Sequence, residues 1–169
     1  LCFLLMEKDP VRLKYALRQS ARSVDKFLEF IKSDGACDEG PSYWSHAAGK
    51  LYDYLQIMYD ASGGMFNLLK NDRIRESGEY ICRAWIGDGY VVNFADASAR
   101  NGINVNLVWS YAEAVGSAEM KSFAHYLMGN DKHGRFYVPH IPTDELYRGL
   151  HAIRIRRKMR DEVSRLNGS

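Results

Sequence analysis

The sequence predicts an all-α domain built from antiparallel helical hairpins. Apolar residues recur at steps of three and four in several segments, which is the period of an amphipathic helix. Proline, glycine and small polar residues separate these segments at places typical of helix starts and stops. A β-branched pair lies among turn residues in one short stretch, Val91-Val92. Together these observations predict helix–loop–helix three times over, arranged as a solenoid, bundle or toroid.

The first two predicted helices have clear boundaries. Asp9-Pro10 combines a capping residue with a proline at the first helical position. Residues 33–40 interrupt the pattern, and Pro41 restarts it for a second helix from about Ser42 to Ser62, which Gly63-Gly64 ends. The apolar stripe of the first helix consists of Leu13, Leu17, Ala21, Val24, Leu28 and Ile31.

The second predicted helix is apolar around most of its circumference, so we expect it to be largely buried. Its remaining polar face carries Tyr43, His46, Lys50 and Asp53. A lone histidine in such a place is more often structural than catalytic, and both interpretations of His46 stay open.

Four further helices are expected after residue 70. Asn71 or Asp72 caps a third helix that continues to Trp85, and residues 87–94 are then a loop or one short strand. A fourth helix covers Asn104 to Val115. The last two helices begin at Gly116-Ser117 and at Thr143, the final one continuing towards Asn167.

Composition limits the classes of function. The 169 residues are 46% hydrophobic and 26% charged, which is typical of one globular domain. A net charge of +2 argues against a general nucleic-acid-coating role, and no apolar run approaches the roughly 20 residues that span a bilayer. Tyrosine is the commonest aromatic residue, with 11 copies. Its apolar ring and polar hydroxyl suit the lining of a cleft that is partly buried and partly exposed to solvent.

The first residues of the chain predict an internal fragment of a larger helical domain. The stretch from Leu1 to Met6 is apolar and has no cap before it. It is typical of the last turns of a helix that starts upstream.

Two polar, aromatic connections are the candidate functional segments. They cover residues 34–44 and 88–101, and each follows an odd-numbered helix. Loops one full hairpin apart fall on the same face, so we expect Glu39 and Tyr90 to share a cleft. Two structural alternatives stay open: Glu39 stabilises the helix start near Pro41, and Tyr90 is a packed ring with a satisfied hydroxyl.

Common catalytic motifs are not found in the sequence. The five histidines follow neither HxxxH nor HExxH spacing, and the three cysteines form no CxxC pair. We therefore predict no metal site and no cofactor within this chain. GxSxG, GxGxxG and GxxxxGK[ST] strings are also missing, which removes the commonest serine-hydrolase, dinucleotide and P-loop interpretations.

Several strings resemble one known family. They are Asp34-Gly-Ala-Cys-Asp-Glu-Gly-Pro-Ser-Tyr-Trp44, Ala47-Ala-Gly49, Leu51-Tyr-Asp-Tyr-Leu55 and Tyr90-Val-Val-Asn-Phe-Ala-Asp-Ala97. They resemble the heparinase II/III-type polysaccharide lyases, and more closely the uncharacterised bacterial relatives of those enzymes. The resemblance implies an α/α toroid whose cleft binds an acidic, uronic-acid polysaccharide. It also implies a periplasmic or extracellular location and a downstream β-sandwich domain, which we expect to lie outside this fragment.

The resemblance also implies roles for single residues. Such lyases cut by β-elimination, and Tyr90 lies near the position of the family's catalytic tyrosine. Glu39 matches a substrate-contacting glutamate. The other predicted substrate-binding residues are Tyr43, His46, Asn93, Asp96 and Arg100.

The sequence departs from the family where an Asn or His is expected shortly before Glu39, because that stretch is Asp34 to Asp38. We therefore expect this fragment alone to be inactive, and three alternatives to a lyase stay open. They are an inactive carbohydrate-binding toroid, a glycoside hydrolase that pairs Asp88 or Asp96 with Glu39, and a helical scaffold for protein partners. Nucleic acid and membrane are not expected partners, whereas a second copy or missing domains of the same protein are.

Overall fold

The computed structural model describes residues 6–129 and 135–168, and this part of the chain is mostly helical. Most of the predicted helix end at Leu1 to Met6 lies outside the described residues. The helices are α1 (Pro10–Phe30), α2 (Ala48–Ala61), α3 (Asp72–Ala84), α4 (Val105–Val115), α5 (Ala118–Met128) and α6 (Leu146–Gly168). Two short strands, β1 (Trp85–Gly87) and β2 (Tyr90–Val91), and a 3₁₀ turn (Pro41–Tyr43) complete the described elements.

Four helices begin where their capping residues predict. Each cap accepts a hydrogen bond from a backbone N–H of the first turn, which would otherwise lack a partner. The side chains that do this are Asp9 for α1, Asn71 for α3, Asn104 for α4 and Ser117 for α5. Local sequence therefore determines these starts.

The second helix differs from its prediction, because the stretch expected to be one helix from Ser42 to Ser62 is divided. The Pro41–Tyr43 3₁₀ turn comes first, residues 44–47 form a wider turn, and α2 begins at Ala48. Trp44 is 2% exposed, and its indole N–H donates to the Ser77 carbonyl on α3 over 2.8 Å. Burial of this ring draws the backbone inward and interrupts the helix.

Two other boundaries are also corrected. The third helix ends at Ala84 rather than at Trp85, because Trp85 belongs to an antiparallel hairpin. Residues 87–94, expected to be a loop or one short strand, hold the turn and second strand of that hairpin. The last helix begins at Leu146 rather than just after Thr143. The Glu145 carbonyl accepts the first helical bond from Gly149, so Thr143 lies outside the helix.

Helices α2 to α5 and the end of α6 enclose the hydrophobic core. The side chains of Tyr52 and Tyr111 stack there with their ring centroids 4.7 Å apart, and both are almost fully buried. Helix α1 lies on the surface and packs against this core along one side through Val24, Phe27 and Leu28. Among the described residues, none of the helices combines the length and the hydropathy needed to cross a bilayer.

A polar network joins α4, α5 and α6 at the edge of the core. The Glu162 carboxylate accepts hydrogen bonds from the Trp109 indole and from the Lys121 ammonium, both at 2.9 Å. His125 pairs with the other carboxylate oxygen. Burial acts to raise the pKa of Glu162, but the hydrogen bonds from Lys121, His125 and Trp109 outweigh it, so this pKa is lowered.

This network predicts an acid-sensitive contribution to stability. A carboxylate with a lowered folded-state pKa stabilises the fold fully above its ordinary pKa of 4.5, and the contribution is lost as the pH falls through the lower folded value. We expect Glu162→Gln to reduce the free energy of unfolding by about 1–2 kcal/mol at pH 7. The difference from wild type should shrink at acid pH. Urea unfolding at a series of pH values measures it.

Asp161→Asn is the control, because Asp161 is exposed on the same helix. His151 also destabilises the fold in acid, since burial lowers its pKa to about 4 and the unfolded chain protonates first. That effect is common to wild type and variant, so it cancels in their difference. A gap between wild type and Glu162→Gln that persists unchanged into acid would contradict the network's role.

Candidate functional site

An open cleft of about 490 Å³ lies between the end of α1 and the loop that follows it. Phe27, Phe30 and Ile31 form an apolar wall, and Ser77 of α3 also lines the cleft. Three of the predicted substrate-binding residues line the cleft, namely Glu39, Tyr43 and His46. An apolar wall facing a few polar groups is the usual make-up of a small-molecule site.

The loop that forms the cleft is fastened to α3. Gly35 has a φ of +70°, and a Cβ added there would lie 2.2 Å from the Glu76 carbonyl oxygen, so only glycine permits this approach. The Arg83 guanidinium donates to the Asp34 carbonyl at 3.2 Å and to the Glu76 carbonyl at 3.0 Å. The Trp44 indole bond to Ser77 fastens the other end of the loop. The cleft wall is therefore held at two points.

The Glu39 carboxylate is available for a ligand. Its side chain is exposed, and within the described residues it makes no hydrogen bond or ion pair. The helix next to it is a single 3₁₀ turn, which offers little dipole for a carboxylate to stabilise. The alternative that Glu39 serves as a helix-start residue therefore loses its main support.

Cys37 lines the cleft beside Glu39, but its thiol is not activated as a nucleophile. Burial raises the pKa of the Cys37 thiol, and the nearby Glu39 and Asp38 carboxylates add to the effect, against hydrogen bonds from the Glu39 and Gly40 backbone. The thiol is therefore protonated at neutral pH, when it is a poor nucleophile.

The second predicted segment, residues 88–101, forms part of the β1–β2 hairpin, and residues 99–101 pair with β2 like a short third strand. Val91 N–H donates to the Ala99 carbonyl at 3.0 Å, and Asn101 N–H donates to the Gly89 carbonyl at 2.8 Å. Between these bonds, Tyr90 and Arg100 face each other as a bridge pair, with the guanidinium 4.8 Å from the ring centroid. This pairing fixes the ring beside a cation.

Tyr90 is 45% exposed, so the alternative that it is a packed ring is wrong. Asn93 and Asp96 are also exposed, in the loop between β2 and the Ala99–Asn101 edge. The hairpin therefore presents all four of its predicted site residues, including Arg100, to solvent.

The two predicted segments pack against each other, as expected for loops on one face. Ser98 N–H donates to the Ser42 hydroxyl at 2.9 Å, and the Asn101 amide donates to the Pro41 carbonyl at 3.0 Å. Gly40, with a φ of +91°, lies against the Phe94 carbonyl and the Ala97 methyl group. The expectation that Glu39 and Tyr90 share a cleft is nevertheless corrected, because Tyr90 is not among the residues that line the Glu39 cleft. The site residues form two groups on adjoining loops.

A smaller polar cavity of about 170 Å³ adjoins the cleft. His46 borders both spaces, and the smaller one continues to Asn101, Asn104, Glu145 and Arg148. His46 therefore stands between an apolar-walled space and a polar one.

Charged side chains pair around Arg148, which lines this polar cavity; Arg148 and Asp53 are buried, whereas Lys50 is exposed. The Arg148 guanidinium donates to the Asp53 carboxylate at 2.8 Å and to the Ser45 carbonyl at 2.7 Å, while Lys50 pairs with Glu145 at 2.5 Å. Burial raises the pKa of Asp53, and the adjacent Arg148 acts in the opposite direction. The Arg148–Asp53 pair joins α6 to α2.

The aromatic wall and Arg148 were not predicted from the sequence. Phe27 and Phe30 lie off the apolar stripe assigned to α1, and two aromatic residues in the last turn before an acidic loop were the available signal. Arg148 carries no local signal, because its partner Asp53 is 95 positions away in the sequence.

Within residues 6–129 and 135–168, no group of three or more His, Cys, Asp or Glu side chains is placed to hold a metal ion. The sequence matches no protein-family model, and a comparison with curated proteins gives no significant match. Function is therefore inferred from the residues of the cleft and the hairpin.

Proposed function

We propose that this chain is part of a polysaccharide lyase that cleaves a uronic-acid polysaccharide by β-elimination, outside the cytoplasm, and that its helices belong to an α/α toroid. One observation carries the proposal: the Glu39 carboxylate, which has no partner among the described residues, lies in an open cleft with an aromatic wall, next to a hairpin that presents Tyr90 and Arg100 together. The resemblance of both segments to the heparinase II/III-type lyases points the same way.

The cleft has the groups that a sugar chain needs. Phe27, Phe30 and Tyr43 offer apolar ring surfaces, and Phe30 is 64% exposed although it is large and hydrophobic. The Glu39 carboxylate accepts hydrogen bonds from sugar hydroxyls, and bonds to an ionised acceptor are stronger than neutral ones. His46 adds a polar ring at the border with the smaller cavity.

The hairpin supplies the groups for the chemical step. Elimination removes the proton alpha to the uronate carboxylate, and its electron pair becomes the new carbon–carbon double bond while the glycosidic bond breaks. The departing oxygen takes up a proton. In this proposal Arg100 neutralises the uronate carboxylate, and the Tyr90 phenol exchanges protons as base or acid.

An inactive carbohydrate-binding protein is the second candidate. Its support is the stretch before Glu39, which holds no Asn or His side chain to spread the uronate charge. Cys37 there is a protonated thiol, and the Asp38 carboxylate is paired with Lys32 at 2.8 Å. A hydrolase that pairs Asp88 or Asp96 with Glu39 is the third candidate; like Tyr90, neither aspartate lines the Glu39 cleft.

The test uses the whole protein that carries this chain, incubated with uronic-acid oligomers. We expect unsaturated, ultraviolet-absorbing ends to accumulate. Glu39→Gln should weaken oligomer binding by about tenfold in calorimetry, because a charged acceptor is lost. Asp88→Asn is the control: Asp88 is exposed on the hairpin turn, and this variant should bind and cleave like wild type.

The other possible outcomes support a different function or reject the proposal. Binding without new double bonds supports the inactive carbohydrate-binding protein. Saturated products, together with loss of activity in Asp88→Asn, support a hydrolase. No binding of any oligomer rejects both carbohydrate functions.

A further inference from the structure

The turn before α2 has an unusual hydrogen-bond pattern. In a continuous helix the Ser45 carbonyl would accept from Gly49 N–H, four residues later. Here Gly49 N–H donates to the Trp44 carbonyl instead, at 3.0 Å. The Ser45 carbonyl is taken by the Arg148 guanidinium from α6, at 2.7 Å. A distant side chain therefore replaces a local backbone bond.

Arg148 occupies a closely fitted place. It is 8% exposed, and its Nε donates to the Asp53 carboxylate at 2.8 Å while its Nη2 reaches Ser45. A Cβ added at Gly49 would lie 2.9 Å from Nη2, so the glycine makes room for the guanidinium. The planar, forked head of arginine is the group that can serve two acceptors in fixed directions.

The turn held by Arg148 carries cleft residues. Tyr43 precedes it, and His46 lies within it, next to the carbonyl that Arg148 binds. We propose that Arg148 is a positioning residue, which holds Tyr43 and His46 at the edge of the cleft through the Ser45 carbonyl. The inference rests on the proposed function only in taking the cleft to bind sugar.

Arg148→Lys is the informative variant. Lysine keeps a positive charge near buried Asp53, but its single ammonium group lacks the fork that serves Asp53 and Ser45 together. A second variant, Arg148→Gln combined with Asp53→Asn, removes the ion pair without leaving a buried carboxylate unpaired. It covers the case in which Arg148→Lys does not fold.

Arg154→Lys is the matched control. Arg154 lies on the same helix and joins the same two helices, through an ion pair with Asp60 at 2.8 Å, but it has no hydrogen bond to the turn. We expect Arg148→Lys to weaken the binding of uronic-acid oligomers by about tenfold and to raise KM more than it lowers kcat. Arg154→Lys should stay within about twofold of wild type.

A readout without ligand separates this inference from the proposed function. The His46 ring signals and the Trp44 indole N–H signal in NMR spectra should shift in Arg148→Lys and stay in place in Arg154→Lys. Unchanged signals and affinity in Arg148→Lys, or equal changes in both variants, would overturn the role of Arg148. If wild type binds no oligomer, the proposed function fails, and the NMR signals still decide how the turn is held.

Discussion

Replacing Tyr90 with phenylalanine is expected to slow the release of unsaturated uronides by on the order of 10³-fold, the usual contribution of a group that transfers a proton. The substitution removes one hydroxyl oxygen and keeps the ring under the Arg100 guanidinium, where ring and cation attract each other. Oligomer affinity should therefore stay within about twofold of wild type, so that the loss falls on kcat. Initial rates of ultraviolet absorbance in the whole protein give the measurement.

Tyr126→Phe is the matched control for this loss. Tyr126 is 46% exposed, against 45% for Tyr90; it lies on α5 stacked against Phe123 and does not line the Glu39 cleft. Equal rates in this variant and wild type would show that losing an exposed phenol is harmless in itself. Full activity in Tyr90→Phe would remove Tyr90 from the mechanism and leave Arg100 and Glu39 as binding groups.

Most of the helical fold could be predicted because its signals are local. Asp9, Asn71, Asn104 and Ser117 each cap the helix that they precede, and a cap acts within a few residues of its own position. The start of α2 could not be predicted in this way. It depends on the bond from Trp44 to Ser77, which is 33 positions away in the sequence.

The residues of the candidate site could be predicted from the sequence, but their arrangement in space could not. Loop composition indicated Glu39, and the polar face of the second predicted helix carries Tyr43 and His46; all three line one cleft. Their distance from Tyr90 depends on how the 88–101 hairpin folds back, which follows from backbone pairing between Tyr90 and Arg100 rather than from spacing. Long-range polar contacts of this kind leave no periodic pattern in a sequence.

Gly35 carries the largest expected effect on stability. An alanine there must adopt a φ of +70°, which costs about 1–2 kcal/mol for a residue with a Cβ. That Cβ would also lie 2.2 Å from the Glu76 carbonyl oxygen and 2.5 Å from the Ser77 nitrogen. Both atoms belong to the backbone of α3, so the loop itself must move. We expect Gly35→Ala to lower the free energy of unfolding by about 3–4 kcal/mol in urea titrations.

Gly63→Ala separates the two causes. Gly63 has a similar φ of +61°, but nothing lies within 4 Å of a Cβ built there. The control should lose only the conformational cost of about 1–2 kcal/mol. Since the displaced loop carries Glu39, Gly35→Ala should also weaken oligomer binding, whereas Gly63→Ala should not. Equal losses of stability in the two variants would mean that the close approach of the loop to α3 contributes nothing, and that the cleft wall is held by Trp44 and Arg83 alone.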